Sequence, residues 1–266
     1  MILENQTLKM KVKLMAMSNK TEKYINDRMK KEKLLFALID PLDYKSPQHA
    51  IDSAVAAAEG GAAVILIGGS IGVQGELLDH AVKEIKARTK VPVVLFPGNI
   101  ATLTKYADAV YFMSLLNSRN TYWISQAQML GAPVVKELGI EPLPIGYIVV
   151  EPGGSVGWVG DANLVPRDRP KIAVALALAG QYMGSRFILM DVGSASKIGH
   201  VPLEMIAAVK KHINIPLIIA GGIKTPEEAK AVAKAGADII QIGTMIEKSA
   251  DVKSLCQRIV KEINSP

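Results

Sequence analysis

The 266-residue chain has one cysteine, few aromatic residues and no long apolar run, and each shortage excludes a class of protein. Cys256 alone can form neither an intramolecular disulfide nor a zinc site built on cysteine pairs, and its apolar context predicts a buried side chain. The four histidines lack ligand spacing, so any metal must be held by oxygen. No apolar run reaches the ~18 residues that span a bilayer, and no secretion signal opens the chain. A soluble, cytoplasmic protein is therefore expected.

Positive charge is concentrated at the start of the chain. The formal net charge is +6, but residues 1–33 carry nine Lys or Arg against four Asp or Glu, whereas residues 34–266 carry 22 against 21. The nearly neutral body has no basic stripe interleaved with aromatic residues, so no nucleic-acid partner is expected. Residues 1–18 are interpreted as a flexible basic leader. The basic segment is either a solvated helix or a weak tether that brings the protein into peripheral contact with anionic membranes.

From residue 34 onward a β-branched run, a turn with Gly or Asp and an Ala- and Lys-rich helical stretch recur eight times. Several of the runs, such as residues 63–67 and 217–220, are apolar on both faces, as parallel strands covered on both sides require. The predicted strands are 34–40, 63–68, 91–96, 109–114, 145–150, 186–192, 216–220 and 238–242. The predicted helices are 47–59, 76–89, 101–105, 121–138, 169–184, 202–212, 225–236 and 252–263.

Eight such units predict an α/β fold, a closed (β/α)₈ TIM barrel that forms a single domain over residues 19–266. A doubly wound sheet is the alternative, but it would carry a Gly-x-Gly-x-x-Gly turn after the first strand. This chain has Asp40-Pro41-Leu42-Asp43 there. Residues 20–33 are interpreted as an additional N-terminal helix that closes the bottom of the barrel.

Function in a barrel lies where the strands end, and the turns after the last three strands are rich in glycine. Glycine lets backbone N–H groups approach an anion, and a helix N-terminus behind the turn adds a favourable dipole. Gly221 and Gly222 precede a helix with Thr225 as N-cap and Pro226 in its first turn. Each glycine alone is an ordinary turn residue. Together with Gly193 and Gly243, they predict a phosphate site.

Two polar residues end the first two strands on the other side of the barrel mouth. Asp40 ends an apolar strand, where a carboxylate needs a cation or hydrogen-bond donors, and Ser70 ends the neighbouring strand. A carboxylate, a hydroxyl and substrate phosphate oxygens suit Mg²⁺, which needs few protein ligands. The alternative is that Asp40 caps its own turn. A phosphate cradle and a metal position at one mouth indicate group transfer from a diphosphate.

One long motif resembles a known family. The sequence Gly-Tyr-Ile-Val-Val-Glu-Pro-Gly-Gly-Ser-Val-Gly-Trp-Val-Gly-Asp-Ala at residues 146–162, with its continuation through residues 166–173, is similar to archaeal geranylgeranylglyceryl phosphate synthases. These are related to bacterial heptaprenylglyceryl phosphate synthases. The segments 38–41, 66–70 and 216–247 resemble the same family, and the likeness covers about residues 20–263.

The resemblance implies a prenyltransferase of archaeal membrane lipid synthesis. The 3-hydroxyl of sn-glycerol 1-phosphate attacks carbon 1 of geranylgeranyl diphosphate, which forms an ether and releases diphosphate. The family's pattern places Mg²⁺ on Asp40 and Ser70 and gives Asp191 the role of proton acceptor. It assigns the glycerol phosphate to Leu189, Met190, Asp191, Val192, Gly193, Ser194, Ala195, Gly221, Gly222, Gly243 and Thr244. The family forms dimers and hexamers, so a homo-oligomer is expected.

The chain departs from the family at the sixth strand. The usual sequence there is Tyr-Leu-Glu-Ala-Gly-Ser-Gly, whereas residues 189–195 read Leu-Met-Asp-Val-Gly-Ser-Ala. Asp191 keeps the carboxylate with one methylene fewer, but Leu189 has no hydroxyl, so weaker binding of glycerol phosphate is expected. An apolar groove for the prenyl chain is predicted beside the metal position. Its candidate walls are Phe96, Tyr111, Phe112, Trp123 and Trp158.

Two other functions remain as alternatives. A phosphate-binding barrel with another substrate, such as a sugar-phosphate isomerase or aldolase, would need a Schiff-base lysine or an acid–base pair in the mouth, and no predicted strand carries an obvious lysine. A non-catalytic relative, such as a ligand sensor or a membrane-associated scaffold, would account for the basic leader and the altered sixth strand. Turnover of the two substrates would exclude it.

Overall fold

The computed structural model describes residues 19–69 and 72–266. The predicted leader, residues 1–18, and the predicted metal ligand Ser70 lie outside the described residues. Eight parallel strands close into a barrel in sequence order, which confirms the predicted fold. The strands are β1 (Leu34–Ile39), β2 (Val64–Gly68), β3 (Val93–Phe96), β4 (Ala109–Leu115), β5 (Glu141–Val149), β6 (Phe187–Asp191), β7 (Leu217–Ala220) and β8 (Ile239–Ile242).

Helices cover the outside of the barrel, and one helix closes its bottom. The helices are α1 (Lys20–Met29), α2 (Pro47–Glu59), α3 (Gly75–Arg88), α4 (Ala127–Leu138), α5 (Gly154–Val159), α6 (Pro170–Tyr182), α7 (Leu203–His212), α8 (Pro226–Lys234), α9 (Thr244–Glu247) and α10 (Val252–Ile263). A wider π-helical turn, Tyr122–Gln126, leads into α4. None of the helices in the described parts of the chain is both long and apolar enough to cross a membrane.

The predicted helix at 101–105 is wrong, because the chain between β3 and β4 forms turns instead. Asn99 Oδ1 accepts a hydrogen bond from the Ala101 N–H at 2.8 Å, and Thr104 Oγ1 accepts one from the Tyr106 N–H at 3.4 Å. Side chains of Asn and Thr compete with helical bonding in this way. The sequence pattern does not predict the short helices α5 and α9, because each is a single turn or little more and follows a glycine.

Side chains alternate between two apolar layers. Residues such as Phe36, Leu66 and Ile218 fill the barrel interior, while Ala37, Ile67 and Ile219 pack between the sheet and the helices. Both sets are almost completely buried, as parallel strands covered on both faces require. Cys256 is fully buried on α10, as its apolar context predicts.

Helix α1 closes the bottom of the barrel, as predicted. Its Ile25 packs into the interior layer beside Phe187 and Leu143. Glu141, at the start of β5, accepts hydrogen bonds from the backbone N–H groups of Thr21 at 2.7 Å and Glu22 at 3.0 Å. These N–H groups lie in the first turn of α1, where no partner exists within a helix. A buried carboxylate from another element therefore caps the helix, and the opposite end of the barrel is left for function.

Candidate active site

A cavity of about 880 Å³ opens where the strands end, and most of its lining is apolar. Residues from the turns after β1, β3, β6 and β8 meet there, with the π-helical turn, α4 and α5 on one side. Asp40 and Asp191, the two carboxylates singled out in the sequence, both line it. The structure thus brings the predicted metal position and the predicted cradle into one space.

Asp191 is the last residue of β6, and its carboxylate is held by two donors. The Tyr147 hydroxyl on β5 donates to Oδ2 at 2.7 Å, and the Gly193 N–H donates to Oδ1 at 2.7 Å. Burial raises the pKa of Asp191, while the bonds from Tyr147 and from the turn oppose the shift. A buried carboxylate with a raised pKa is a competent acceptor for the proton of a hydroxyl nucleophile.

Glycine turns pack directly on one another beside this carboxylate. A Cβ on Gly221, where φ is +77°, would collide with Asp191 Oδ1 and lie 2.8 Å from the Gly193 carbonyl oxygen. A Cβ on Gly193 would overlap the Gly153 carbonyl and lie 2.8 Å from the Gly154 Cα. The turns after β5, β6 and β7 are therefore interlocked, and only glycine permits the close approach.

Arg167 links two of these turns through hydrogen bonds to their carbonyl groups. Its Nη1 donates to the Glu151 carbonyl at 3.2 Å, and its Nη2 donates to the His200 carbonyl at 2.8 Å. The first carbonyl belongs to the turn after β5 and the second to the loop after β6. Lys224 Nζ donates to the Lys197 carbonyl at 3.2 Å and braces the same loop from the β7 side. Sequence reasoning missed Arg167, whose role depends on carbonyls far along the chain.

The predicted glycerol phosphate residues divide into two groups. The cavity lining includes Asp191, Ser194, Ala195, Gly243 and Thr244. Leu189 is buried inside the barrel next to Tyr147 in the strand register, whereas Met190 and Val192 pack outside the sheet against the helices. Gly193, Gly221 and Gly222 are not among the lining residues of the cavity and instead pack against the neighbouring turns.

The hydroxyl at the cavity floor comes from a neighbouring strand. Tyr147 belongs to the strand-five motif and alternates into the barrel interior, and it lines the cavity beside Asp191. Sequence reasoning missed it because its contact with Asp191 joins residues on different strands. The alternation of side chains along β5 is the signal that would have placed Tyr147 inside.

Asp40 both caps its turn and faces the cavity. Its Oδ1 accepts a hydrogen bond from the Leu42 N–H at 3.2 Å, so the capping interpretation is confirmed. Burial, followed by the charge of Asp43, raises the pKa of Asp40 to about 6. No Lys or Arg in the described parts of the chain forms an ion pair with it. A carboxylate in this state is suited to a bound cation.

The other charged groups of the mouth also favour a bound cation. Asp43 and Glu247 line the cavity with Asp40, and Lys248 is the one Lys or Arg among the described lining residues. Within residues 19–69 and 72–266, no three His, Cys, Asp or Glu side chains converge on one metal position. The residues fit a hard cation that takes part of its coordination from substrate oxygens and water.

All five predicted groove aromatics line the cavity: Phe96, Tyr111, Phe112, Trp123 and Trp158. Phe96 packs edge-to-face on Tyr111, with ring centroids 5.3 Å apart. The inner side of α4 continues this apolar wall through Gly131 and Val135, and the helix-free segment after β3 forms the opposite wall through Leu103. The cavity therefore has an acidic part, with Asp40, Asp191 and the turn at Gly243, and an apolar part.

Comparison with known proteins gives one consistent result. A model of the PcrB family matches residues 27–263. The geranylgeranylglyceryl phosphate synthase of Thermococcus sibiricus is 53% identical over 245 residues, which cover 92% of this chain and 95% of the relative. That of Methanothermobacter thermautotrophicus is 46% identical over 246 residues, which cover 92% of this chain and 99% of the relative.

Solved structures agree with this result. The (S)-3-O-geranylgeranylglyceryl phosphate synthase of Thermoplasma acidophilum, in complex with its substrate sn-glycerol-1-phosphate, superposes with a TM-score of 0.86 at 39% identity. The match covers 90% of this chain and 96% of that one. A thiamine phosphate pyrophosphorylase from Pyrococcus furiosus, at 15% identity and a TM-score of 0.55, shares the fold alone.

Proposed function

The chain belongs to the PcrB family, alongside archaeal geranylgeranylglyceryl phosphate synthases, and on this premise we propose that it is a prenyltransferase of ether lipid synthesis. The C3 oxygen of sn-glycerol 1-phosphate forms a bond to carbon 1 of geranylgeranyl diphosphate as the bond from that carbon to diphosphate breaks. The proton of the attacking hydroxyl passes to Asp191. The products are the ether-linked glycerol phosphate and diphosphate.

The single observation that carries this proposal is one cavity with two chemically distinct parts. Its apolar wall, with Phe96, Trp123 and the inner side of α4, suits a prenyl chain, and its cradle with Asp191 suits a phosphorylated polyol. The nucleophile and the allylic carbon would meet between them. Holding two reactants in place in this way removes much of the entropic barrier to a bimolecular reaction.

Mg²⁺ belongs to the proposal through Asp40 and Ser70. Asp40 lines the cavity without a Lys or Arg ion pair among the described residues, and Asp43 and Glu247 add negative charge nearby. A diphosphate would meet repulsion there without a cation. Bound Mg²⁺ would neutralise the charge that develops on the departing diphosphate. The chain's own residues orient the glycerol phosphate and accept its proton.

We also propose that the protein forms a homo-oligomer in the cytoplasm. Six exposed apolar side chains lie on α4, on α6 or directly after α6, and we call them the apolar flank: Met129, Leu130, Val134, Ile172, Tyr182 and Met183. Residues 120–135 and 172–185, which contain these side chains, include no charged residue. An uncharged apolar face of this kind resembles the core of a homodimer interface.

The test is prenyltransfer from geranylgeranyl diphosphate to radiolabelled sn-glycerol 1-phosphate, with Mg²⁺ and with EDTA. Ether product that forms with Mg²⁺ and disappears with EDTA is expected. Asp40→Asn should raise the Mg²⁺ concentration needed for half-maximal rate, and Asp52→Asn, which alters an exposed carboxylate on α2, is the control. Product of equal yield in EDTA would rule out the metal. A folded protein that forms no ether with any prenyl length would contradict the function.

A further inference from the structure

The exposed apolar side chains of the structure fall on two surfaces. Among the described residues eleven large apolar side chains are exposed, and six of them form the apolar flank. The other five lie on segments that follow the carboxyl ends of strands: in the helical turn after β1, on loops, in the short helix α5 and at the start of α7. These five, which we call the rim, are Leu42, Ile100, Trp158, Ile198 and Leu203.

The rim is continuous with the cavity. Leu42, Ile100 and Trp158 line the cavity, yet they are 54%, 43% and 87% exposed, so each faces both the cavity and the solvent. They follow three different strands, β1, β3 and β5, and thus stand on different sides of the mouth. Apolar side chains therefore extend from the cavity wall to the outside of the molecule at three places around the mouth.

Charge distinguishes the rim from the apolar flank. The face that bears the rim carries seven exposed Lys and Arg side chains and as many exposed acids: Asp43, Glu76, Asp161, Asp168, Glu204, Glu227 and Asp251. The cations are Lys45, Arg119, Arg169, Lys171, Lys197, Lys224 and Lys248. Large apolar side chains among charged groups of both signs, with tryptophan the most exposed, suit a surface that sits at the headgroup level of a bilayer, whereas the apolar flank has no charged residue in its segments.

We propose that the rim docks on a lipid bilayer, so that the cavity mouth opens toward the acyl chains. The inference rests on the proposed function, in which one substrate and one product carry a long apolar chain. Such a chain partitions into lipid, and passage through water would expose it. With the rim in the headgroup region, Leu42, Ile100 and Trp158 form an apolar path between bilayer and cavity.

The test places a fluorescent reporter on each surface of the full chain. The sequence has two tryptophans, so Trp123→Phe leaves Trp158 as the only one. Vesicles of phosphatidylcholine, alone and with about one-third phosphatidylglycerol, are added with and without brominated acyl chains. We expect a blue shift of Trp158 emission and quenching by the brominated lipid with both kinds of vesicle, because the exposed charges around the rim nearly balance.

The matched control moves the reporter to the apolar flank by combining Trp123→Phe and Trp158→Phe with Tyr182→Trp. Tyr182 is 77% exposed, comparable to Trp158, and lies at the end of α6 away from the mouth. We expect no quenching of this reporter at lipid concentrations where co-sedimentation shows that the control protein, which keeps an aromatic ring at position 158, is bound. In otherwise unaltered protein, Trp158→Ser should lower the vesicle partition coefficient about tenfold, and Tyr182→Ser should leave it within about twofold.

Four outcomes would overturn the inference. The first is equal quenching of both reporters, and the second is no vesicle binding. The third is binding that the combined changes Lys9→Gln, Lys11→Gln and Lys13→Gln abolish but Trp158→Ser does not. The fourth is a sedimentation coefficient that Trp158→Ser changes in the absence of vesicles. The third would assign membrane contact to the leader, and the fourth would make the rim an interface between copies. Prenyltransfer assayed with dispersed substrate is independent, so product without vesicle binding rejects the docking and leaves the function intact.

Discussion

Asp191 is buried at the end of β6, where its ionised form is costly. Burial raises its pKa, so ionisation of Asp191 lowers the free energy of unfolding at pH values above the unfolded pKa of 3.8. We expect Asp191→Asn to lower kcat by about 10²-fold or more. The free energy of unfolding should not fall at neutral pH. Any gain in the free energy of unfolding of the Asn variant over the unaltered protein should shrink as the pH drops through the folded pKa of Asp191. It should vanish below the unfolded pKa.

Parallel denaturant titrations and rate measurements across pH check this prediction. A stability advantage of the Asn variant that grows toward acid pH would contradict the assigned direction of the shift. Retention of full kcat would remove Asp191 as the proton acceptor and leave bulk water in that role.

Tyr147 donates the hydrogen bond that holds the Asp191 carboxylate. Tyr147→Phe leaves a buried oxygen without this donor, which costs about 1–3 kcal/mol in free energy of unfolding and raises the pKa of Asp191 further. We expect a lower kcat together with an acid limb of the rate profile shifted to higher pH. Tyr111→Phe is the matched control, because among the described residues its hydroxyl bonds to Gln241 alone, at 3.4 Å. Equal effects of the two changes would argue against a specific role for Tyr147.

Ala195 lies in the loop after β6 with φ of +53°, which L-residues other than Gly, Asn and Asp rarely adopt. Ala195→Gly should raise the free energy of unfolding by about 1 kcal/mol, because glycine reaches this conformation without steric cost. Ala235→Gly, at a right-handed position that ends α8, should lower it by a similar amount. Thermal or denaturant melts compare the two variants, and a change of the same sign in both free energies of unfolding would contradict the strain at Ala195.

The weaker glycerol phosphate binding expected from Leu189 stays a prediction.

At the scale of elements, the phosphate cradle depends on how the turns after β5, β6 and β7 are braced. Arg167 donates to carbonyls of the first two, whereas the nearby Arg169 forms an ion pair with the exposed Asp168. Arg167→Ala should raise the KM for glycerol phosphate about tenfold, or ~1.4 kcal/mol, with little change in kcat or in the KM for the prenyl diphosphate. Arg169→Ala should change neither constant.

Steady-state kinetics with each substrate varied in turn separate this role from a general loss of structure. A structural defect would lower the melting temperature and disturb both KM values together. Partial recovery of the glycerol phosphate KM by added guanidinium would support a role for the side chain itself in holding the loop.

At the scale of the whole molecule, α1 and the active site lie at opposite ends of the barrel. Glu141→Gln replaces the buried carboxylate that caps α1, and we expect a loss of about 2 kcal/mol in free energy of unfolding. Glu59→Gln, which weakens an exposed pair with Lys253, should cost less than about 1 kcal/mol. Below the melting transition both variants should keep their kcat. A loss of kcat in Glu141→Gln at full folding would indicate that the bottom of the barrel influences its mouth.

The sequence by itself determined the barrel, its eight strands and the placement of Asp40 and Asp191 at one mouth, because strands buried on both faces leave a strong apolar signal and a barrel gathers its strand ends. It also determined the Thr225 cap, since a cap is local. Only the tertiary structure decided that Tyr147 holds Asp191, that Arg167 braces the cradle and that residues 97–108 form no helix. These depend on contacts between strands and loops distant in sequence, or on side chains competing for the backbone.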